Sequence, residues 1–209
     1  MNKYFIFFLS LQFLLFSCQK DQVDPVYTDI LAGEADTSYS VTFLTAPLSI
    51  NVVYDAQNLY GYGIDSIDIE GDGSYDILIE LDLLNPDSLH LLIGQPNPFP
   101  NCRITTMNDL EIAIDSIPVY VGLGTTAYFK FAAMYQMNDV ISISGTWYKN
   151  SMVKLWQENP AFPSSTFGEW YSIHAVRYIA IRKNGKYGWM EIDATNHEDP
   201  QILSFAIEN

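Results

Sequence analysis

The chain has 209 residues, of which 48% are apolar and 17% charged, and this composition is that of a globular protein rather than a disordered one. With 25 acidic and 10 basic side chains, the net charge is −15. That charge argues against nucleic acid as a partner, because a phosphate backbone would be repelled. The 2 cysteines are too few for a disulfide scaffold. The length favours one folded domain.

Residues 1–17 have the pattern of an export signal peptide. Lys3 provides the positive start, and the apolar stretch after it is shorter than the roughly 20 residues needed to cross a bilayer. The stretch ends in Leu15-Phe16-Ser17-Cys18, which resembles the lipobox of bacterial lipoproteins. The resemblance implies that Cys18 is lipidated through its sulfur and becomes the first residue of the mature chain. The alternative is an ordinary cleaved signal with a cysteine nearby by chance.

Residues 18–37 are expected to form the lipidated cysteine and a flexible tether, since no sustained apolar period occurs between residues 19 and 37. The Lys20-Asp21 pair soon after the cysteine resembles the signal that sends some lipoproteins to the outer face of the cell. We therefore expect a surface-exposed lipoprotein of the outer membrane. Residues 38–209 form the predicted folded domain.

From residue 38 onward the apolar period is mostly two, as in half-buried β-strands. Tyr39, Val41 and Phe43 begin this alternation. Only short pieces, such as residues 153–157, are helix candidates. Many short strands separated by Gly, Pro and Asn predict an all-β fold, a single antiparallel β-sandwich of jelly-roll type. Further strand candidates are residues 48–54, 75–83, 89–93, 127–135, 140–144 and 202–207.

Residues 68–76 have the ligand spacing of a calcium loop. Carboxylates occupy positions one, three, five and nine, a glycine at position six allows the sharp turn, and position seven offers a backbone carbonyl. Four carboxylates in so short a loop would repel one another without a cation. The predicted ligands of Ca²⁺ are Asp68, Glu70, Asp72, Ser74 and Asp76.

This acidic loop (residues 68–76) is similar to the Asp-rich loops of FG-GAP (integrin-type) repeats, in which a strand–loop–strand unit holds one ion. Position twelve is Ile79 instead of the glutamate of an EF-hand, and the flanking residues 63–67 and 77–81 have strand composition. We expect a structural Ca²⁺ rather than a catalytic one, because every visible carboxylate of the loop is already used as a ligand. The alternative is an acidic turn exposed to solvent.

Aromatic residues are concentrated between residues 147 and 171, in a segment broken by Gly, Pro and Ser. Flat rings on loops stack on the faces of sugars. The candidate ligand-binding residues are therefore Trp147, Trp156, Trp170 and Tyr171. The alternative is that these rings fill the core.

Residues 177–193 predict a β-hairpin around Asn184-Gly185, because both residues tolerate the positive φ of a type I′ turn. The segment from this hairpin to Ile207 resembles the closing strands of a β-sandwich found in many uncharacterised secreted bacterial proteins. That resemblance implies a fold but no chemistry.

These features predict a surface-anchored lipoprotein whose β-sandwich carries structural Ca²⁺ and acts in binding or adhesion, with a glycan or a protein as ligand. No catalytic residue is assigned: Gly-x-Ser-x-Gly, P-loop and dinucleotide motifs are absent from the sequence, and Cys102 has no identifiable partner base. Two alternatives stay open. One is a secreted hydrolase acting on glycans on the same scaffold, and the other is a purely structural envelope protein.

Replacing Cys18 by alanine removes the sulfur that the lipid would modify, so we expect the Cys18→Ala chain to leave the membrane fraction. Cell fractionation with immunoblotting measures this change, and mass spectrometry of the wild-type chain measures the modification itself. An unmodified Cys18, or a mature chain that starts at another residue, would contradict the lipoprotein prediction.

Overall fold

A computed structural model of the chain describes residues 30–35, 38–55, 60–84, 99–120, 126–142, 144–157 and 168–209. These residues form β-strands joined by turns, with one short 3-10 helix at Glu169–Ser172, so the predicted all-β fold is confirmed. None of the helical residues in these ranges forms a helix long and apolar enough to cross a membrane. The signal peptide, Cys18 and the strand candidate at residues 89–93 lie outside the described residues.

The strands in chain order are β1 (Ile30–Leu31), β2 (Tyr39–Ser49), β3 (Val52–Asp55), β4 (Tyr60–Ile67), β5 (Ile77–Leu84), β6 (Phe99–Thr106), β7 (Glu111–Tyr120), β8 (Thr126–Ala132), β9 (Val140–Ile141), β10 (Trp147–Lys149), β11 (Met152–Gln157), β12 (Val176–Lys183), β13 (Lys186–Asp193) and β14 (Gln201–Glu208).

Twelve of these strands form one continuous sheet in the order β2-β14-β13-β12-β7-β8-β11-β6-β5-β4-β3, with β10 paired to β7. The pairings are antiparallel except for the one between β8 and β11, which is parallel. β1 and β9 form a separate two-stranded sheet. The long β7 pairs with β12 near its start and with β8 further along, so it joins the two halves of a sandwich-like fold.

Side chains from both halves of the sheet meet in one apolar core. Ile77, Ile79 and Leu81 of β5 belong to the same buried cluster as Ile179 and Ile181 of β12. The alternation of a β-strand places the residues between them on the outer faces. The core therefore leaves two outer faces on opposite sides of the molecule.

The outer face of β12, β13 and β14 carries a second buried cluster of aromatic and small residues. The rings of Tyr178 and Trp189 are perpendicular with centroids 5.5 Å apart, and Ala180 and Ala206 lie beside them. Small residues next to large rings let a covering segment approach the sheet closely.

That covering segment is residues 30–35, which we call the N-terminal strap. Ile30 and Ala32 are fully buried, and Ile30 pairs with Ile141 of β9. Trp189 Nε1 donates a hydrogen bond of 2.9 Å to the Glu34 carbonyl. The sequence prediction of a tether through residue 37 is therefore wrong for the strap. Its apolar stretch is too short to show a period, yet its side chains fill the space over the second cluster.

One helix candidate and one strand prediction also need correction. Residues 153–157 belong to β11 and are not helical. The segment 48–54 is divided between β2 and β3, with Ile50 and Asn51 at the turn between them. A turn inside an apolar run is not visible from the hydrophobic pattern alone.

The predicted hairpin between β12 and β13 is confirmed. Asn184 and Gly185 both have positive φ, at 54° and 80°, as a type I′ turn requires. Gly188 has a different role, because a Cβ atom there would lie 2.1 Å from the Ala206 carbonyl oxygen of the neighbouring strand. Only glycine permits this approach of the two backbones.

We expect Ile30→Ala to destabilise the domain by about 2–5 kcal/mol, because it removes a fully buried side chain and leaves a cavity under the strap. Denaturant unfolding measures the change. Val140→Ala is the matched control: Val140 lies on the neighbouring strand β9 but is 54% exposed, so its truncation should cost less than about 0.5 kcal/mol. Equal effects of the two substitutions would show that the strap is not part of the folded domain.

Candidate functional site

The acidic loop is wound around the side chain of Asp68. Its Oδ1 accepts the backbone N–H groups of Gly71 and Asp72, at 2.7 and 3.2 Å, and its Oδ2 accepts that of Gly73 at 2.7 Å. These bonds, that from Gly73 first, lower the pKa of Asp68. Asp72 Oδ1 accepts the N–H of Ser74 at 2.8 Å. Backbone donors therefore hold the tip of the loop closed.

The last residue of the loop, Asp76, is fully buried and has a cationic partner. Its Oδ2 accepts the Ile69 N–H at 3.0 Å, and its Oδ1 accepts a hydrogen bond of 2.6 Å from Lys183 Nζ. The same Nζ lies 2.7 Å from Glu70 Oε2. Burial opposes the charged form of Lys183, but these two carboxylates raise its pKa above the usual value. The acidic loop thus closes around the ammonium group of Lys183.

Lys183 has no signal in the sequence that links it to the acidic loop. It is the last residue of β12 and lies 107 positions from Asp76 in the chain. No periodicity or motif connects two residues at such a separation. Only the closure of the sheet brings the end of β12 under the acidic loop.

Two of the five residues predicted to bind Ca²⁺, Glu70 and Asp76, therefore already pair with Lys183. Within the described ranges, no group of three or more His, Cys, Asp or Glu side chains is arranged to hold a metal ion. The donor set of four carboxylates and one carbonyl is of the kind that Ca²⁺ prefers. A Ca²⁺ ion bound by Glu70 and Asp76 would have to displace Lys183 Nζ from them.

The predicted aromatic ligand-binding residues do not form one exposed row. Trp156 and Trp170 are completely buried, and Trp170 Nε1 donates to the Ala132 carbonyl at 3.0 Å. Trp147 is half-buried, with the Arg182 guanidinium 4.7 Å from its ring centroid. The side chain of Tyr171 lies outside the described residues. The prediction of sugar-stacking rings is therefore wrong for Trp156 and Trp170, which fill the core.

A β-bulge explains why the role of Trp156 was hard to predict. The register of β11 against β6 shifts between Lys154 and Trp156, which a strict period of two would place on one face. With the bulge, Trp156 pairs with the buried Cys102, whereas Lys154 pairs with Arg103. Lys154 therefore lies on the outer face and Trp156 in the core.

The outer face of β4, β5, β6 and β11 carries a continuous group of polar and tyrosine side chains, which we call the polar face. Two rows of directly paired residues cross the sheet, Tyr62–Asp82–Asn101–Gln157 and Glu80–Arg103–Lys154, and Tyr60 lies beside the first row. Four adjacent strands span roughly 14–15 Å. The members of the polar face are Tyr60, Tyr62, Glu80, Asp82, Asn101, Arg103, Lys154 and Gln157.

Arg103 is at the centre of the polar face. Its Nε and Nη2 donate to the two carboxylate oxygens of Glu80, at 3.0 and 2.9 Å, and its Nη1 donates to Asp82 Oδ2 at 2.6 Å. The hydroxyl of Tyr62 donates to Glu80 Oε1 at 2.8 Å, and that of Tyr60 donates to Asp82 Oδ1. The bidentate contact orients the guanidinium in one plane.

The two tyrosines stand side by side on β4. Their ring centroids are 6.5 Å apart, and the ring planes differ by 13°. Burial, followed by the hydrogen bond to Asp82, raises the pKa of Tyr60 to about 12. Both hydroxyls are thus held protonated and oriented towards carboxylates.

The electrostatics of the polar face favour an anionic Glu80. The hydrogen bond from Arg103 is the main cause that lowers the pKa of Glu80, against the opposing effect of burial. A glycosidase needs instead a carboxylic acid whose pKa is raised so that it can donate a proton. The arrangement around Arg103 suits binding better than acid catalysis.

A cavity of about 170 Å³ opens beside Arg103. Its lining joins residues of the polar face to the core residues Cys102 and Trp156. Burial raises the pKa of the Cys102 thiol, which argues against a nucleophilic role for it. The remaining lining residues are Asp82, Asn101, Arg103, Lys154 and Gln157.

A wider groove of about 450 Å³ lies between the β2–β3 turn and the segment before β14. Its charged residues are the acidic Glu198 and Asp199, and the half-exposed ring of Tyr54 forms one wall. Its described lining contains no buried polar side-chain atom that lacks a partner. The smaller cavity is lined by two residues with such an atom, Asn101 Oδ1 and Trp156 Nε1, and is therefore the stronger candidate for a specific site.

Comparisons of this chain with protein-family models, with curated proteins and with solved structures found no match.

We expect Lys183→Met to destabilise the domain by about 3–5 kcal/mol in EDTA, because it leaves the buried Asp76 carboxylate without its cation. If the loop binds Ca²⁺, the ion should replace the missing charge and restore roughly 2.7 kcal/mol at a hundredfold excess over its Kd. The wild-type gain should be smaller, since Ca²⁺ must first displace the ammonium group. Thermal unfolding with and without Ca²⁺ measures both effects.

Lys186→Met is the matched control, because Lys186 is an exposed lysine on the other side of the same hairpin turn. Its melting temperature should stay close to that of the wild type. Indifference of the Lys183→Met chain to both Ca²⁺ and EDTA would contradict the calcium prediction. Equal stability of the two lysine variants would contradict the role of Lys183.

Proposed function

We propose that this chain is a cell-surface lipoprotein of the outer membrane, anchored through Cys18, whose β-sandwich is a non-catalytic binding module for a glycan. The signal sequence and its Leu-Phe-Ser-Cys end support the anchor. The polar face supports the binding role. A structural Ca²⁺ at the acidic loop is part of the proposal, as a cation that stabilises one end of the β4–β5 pair.

One observation carries the choice of binding over hydrolysis: a single guanidinium holds both carboxylates of the polar face. Arg103 contacts Glu80 and Asp82 with three hydrogen bonds, so neither oxygen pair is free to act as nucleophile or proton donor without breaking them. Such a network rigidifies the surface and orients donors and acceptors for a ligand.

A glycan suits the polar face because the face combines tyrosine rings with closely spaced donors and acceptors. Sugars present hydroxyl groups to polar side chains and apolar C–H faces to rings. A protein ligand would need a larger surface with a core of apolar anchors. The polar face has carboxylates, a guanidinium and amides at its centre instead.

The position of the N-terminal strap also supports a surface role. The strap packs on the outer face of β12, β13 and β14, whereas the polar face lies on the outer face of β4, β5 and β6. The common core lies between these faces. A tether that enters at Ile30 would therefore leave the polar face directed away from the anchor.

We expect the chain to bind at least one soluble polysaccharide in affinity gel electrophoresis with a panel of neutral and acidic glycans. The double variant Tyr60→Ala, Tyr62→Ala should lose at least tenfold in affinity, because it removes two stacking rings and two oriented hydroxyls. Tyr75→Ala is the control, since Tyr75 is an exposed tyrosine of the acidic loop.

The same panel separates the alternatives. Release of reducing sugar from a bound glycan, lost in a Glu80→Gln variant, would favour the hydrolase. Retention of every glycan by the double tyrosine variant at wild-type affinity would exclude the polar face as the site. Absence of binding across the panel would contradict the proposed function and favour a structural envelope protein.

A further inference from the structure

Three polar groups of the small cavity lack the partners that their chemistry requires. Within the described part of the chain, the buried Asn101 Oδ1 accepts no hydrogen bond and the buried Trp156 Nε1 donates none. Lys154 Nζ donates to the neutral Gln157 Oε1 and lies 5.2 Å from the centre of the Phe129 ring. Among the described residues, no carboxylate forms an ion pair with it. A buried acceptor without a donor, and a half-buried cation without an anion, both raise the free energy of the empty cavity.

The neighbouring charges do not compensate Lys154. Asp82 lines the same cavity, but its carboxylate is already bonded to Arg103 and Tyr60. Burial and the positive charge of Arg103 lower the pKa of Lys154. Arg103 thus adds a second positive charge near Lys154 Nζ, although the whole chain carries a net charge of −15.

We propose that this cavity binds one acidic sugar unit, a uronic acid, with Lys154 Nζ donating to its carboxylate and Asn101 Oδ1 accepting from one of its hydroxyl groups. This inference rests on the proposed function and names the class of glycan. A neutral sugar would donate a hydroxyl hydrogen bond to Asn101 but would leave Lys154 without an anion. A fully ionised inorganic anion would pair with Lys154 but has no hydrogen to donate to Asn101.

The size of the cavity agrees with a single sugar unit. Its volume of about 170 Å³ is several times the roughly 30 Å³ that one water molecule occupies. It is smaller than the pockets of about 300 Å³ or more that hold larger ligands. The rest of an acidic polysaccharide would extend over the polar face, towards the two tyrosines. At physiological salt the repulsion from distant acidic groups is screened beyond about 8 Å, so the local lysine determines the preference.

The test is a titration calorimetry comparison of a galacturonate trimer with its methyl ester, using the purified full-length chain in detergent. The two probes share one sugar backbone, and the ester removes the negative charge of each carboxylate and adds a methyl group there. We expect the acid to bind about ten- to a hundredfold more tightly than the ester, the range for one charge-assisted hydrogen bond. Lys154→Met should bring the two affinities together, whereas Lys154→Arg should keep most of the difference. Asn101→Ala should weaken both probes.

Lys130→Met is the control, because Lys130 is an exposed lysine whose Nζ lies over the Tyr148 ring and does not line the cavity. It removes the same charge from the chain and should leave the preference unchanged. The wild-type comparison needs no variant, so a folding defect cannot decide the result. Equal affinity for acid and ester overturns the inference and leaves glycan binding standing. Binding of a neutral glycan with no acidic one also overturns it. Failure of every glycan in the panel overturns both.

Discussion

The strict alternation of side chains along β5 and β6 is the constraint on which the rest of the structure depends. Ile79, Leu81 and Cys102 point into the core, so the residues between them must lie on the opposite face. The core thus determines that Glu80 and Arg103 are neighbours on one surface. A shift of one residue in the register would place these charges in the apolar core, at a cost of several kcal/mol per ion. The strand register that buries the core residues therefore also sets the geometry of the polar face.

Cations are scarce in this chain, and three of them pair with acidic groups that join distant parts of the sequence. Arg103 serves two carboxylates of the polar face, and Lys183 serves two carboxylates of the acidic loop. Arg182 pairs with Glu111 where β12 meets β7. Each of these three cations pairs with carboxylates at least 21 positions away in the sequence, and so fixes two separate elements to each other. Lys154 differs from these three cations, because its described hydrogen-bond partner is the neutral amide of Gln157 although acids outnumber bases in the chain.

The sequence predicts the parts of the fold whose causes are local. The Asn184-Gly185 turn follows from the φ preferences of two residues, and the strands around the acidic loop follow from a period of two. The strap is not predictable in this way, because its residues are recognisable as buried only once the sheet that they cover has formed. The same holds for the pair of Lys183 and Asp76. Long-range register carries no signal in a single sequence.

The polar face shows why the candidate site was harder to predict than the fold. Its residue types are ordinary for the outer face of a sheet, and a sequence with so many acids offers no basis for pairing Glu80 with Arg103, 23 positions away. The aromatic pattern pointed to residues 147–171, since ring density is visible in the sequence and burial is not. The β-bulge in β11 then places Lys154 on the outer face, whereas the Trp156 ring is buried in the core beside the same cavity. A one-residue irregularity thus determines that a ligand on the outer face meets the charge of Lys154.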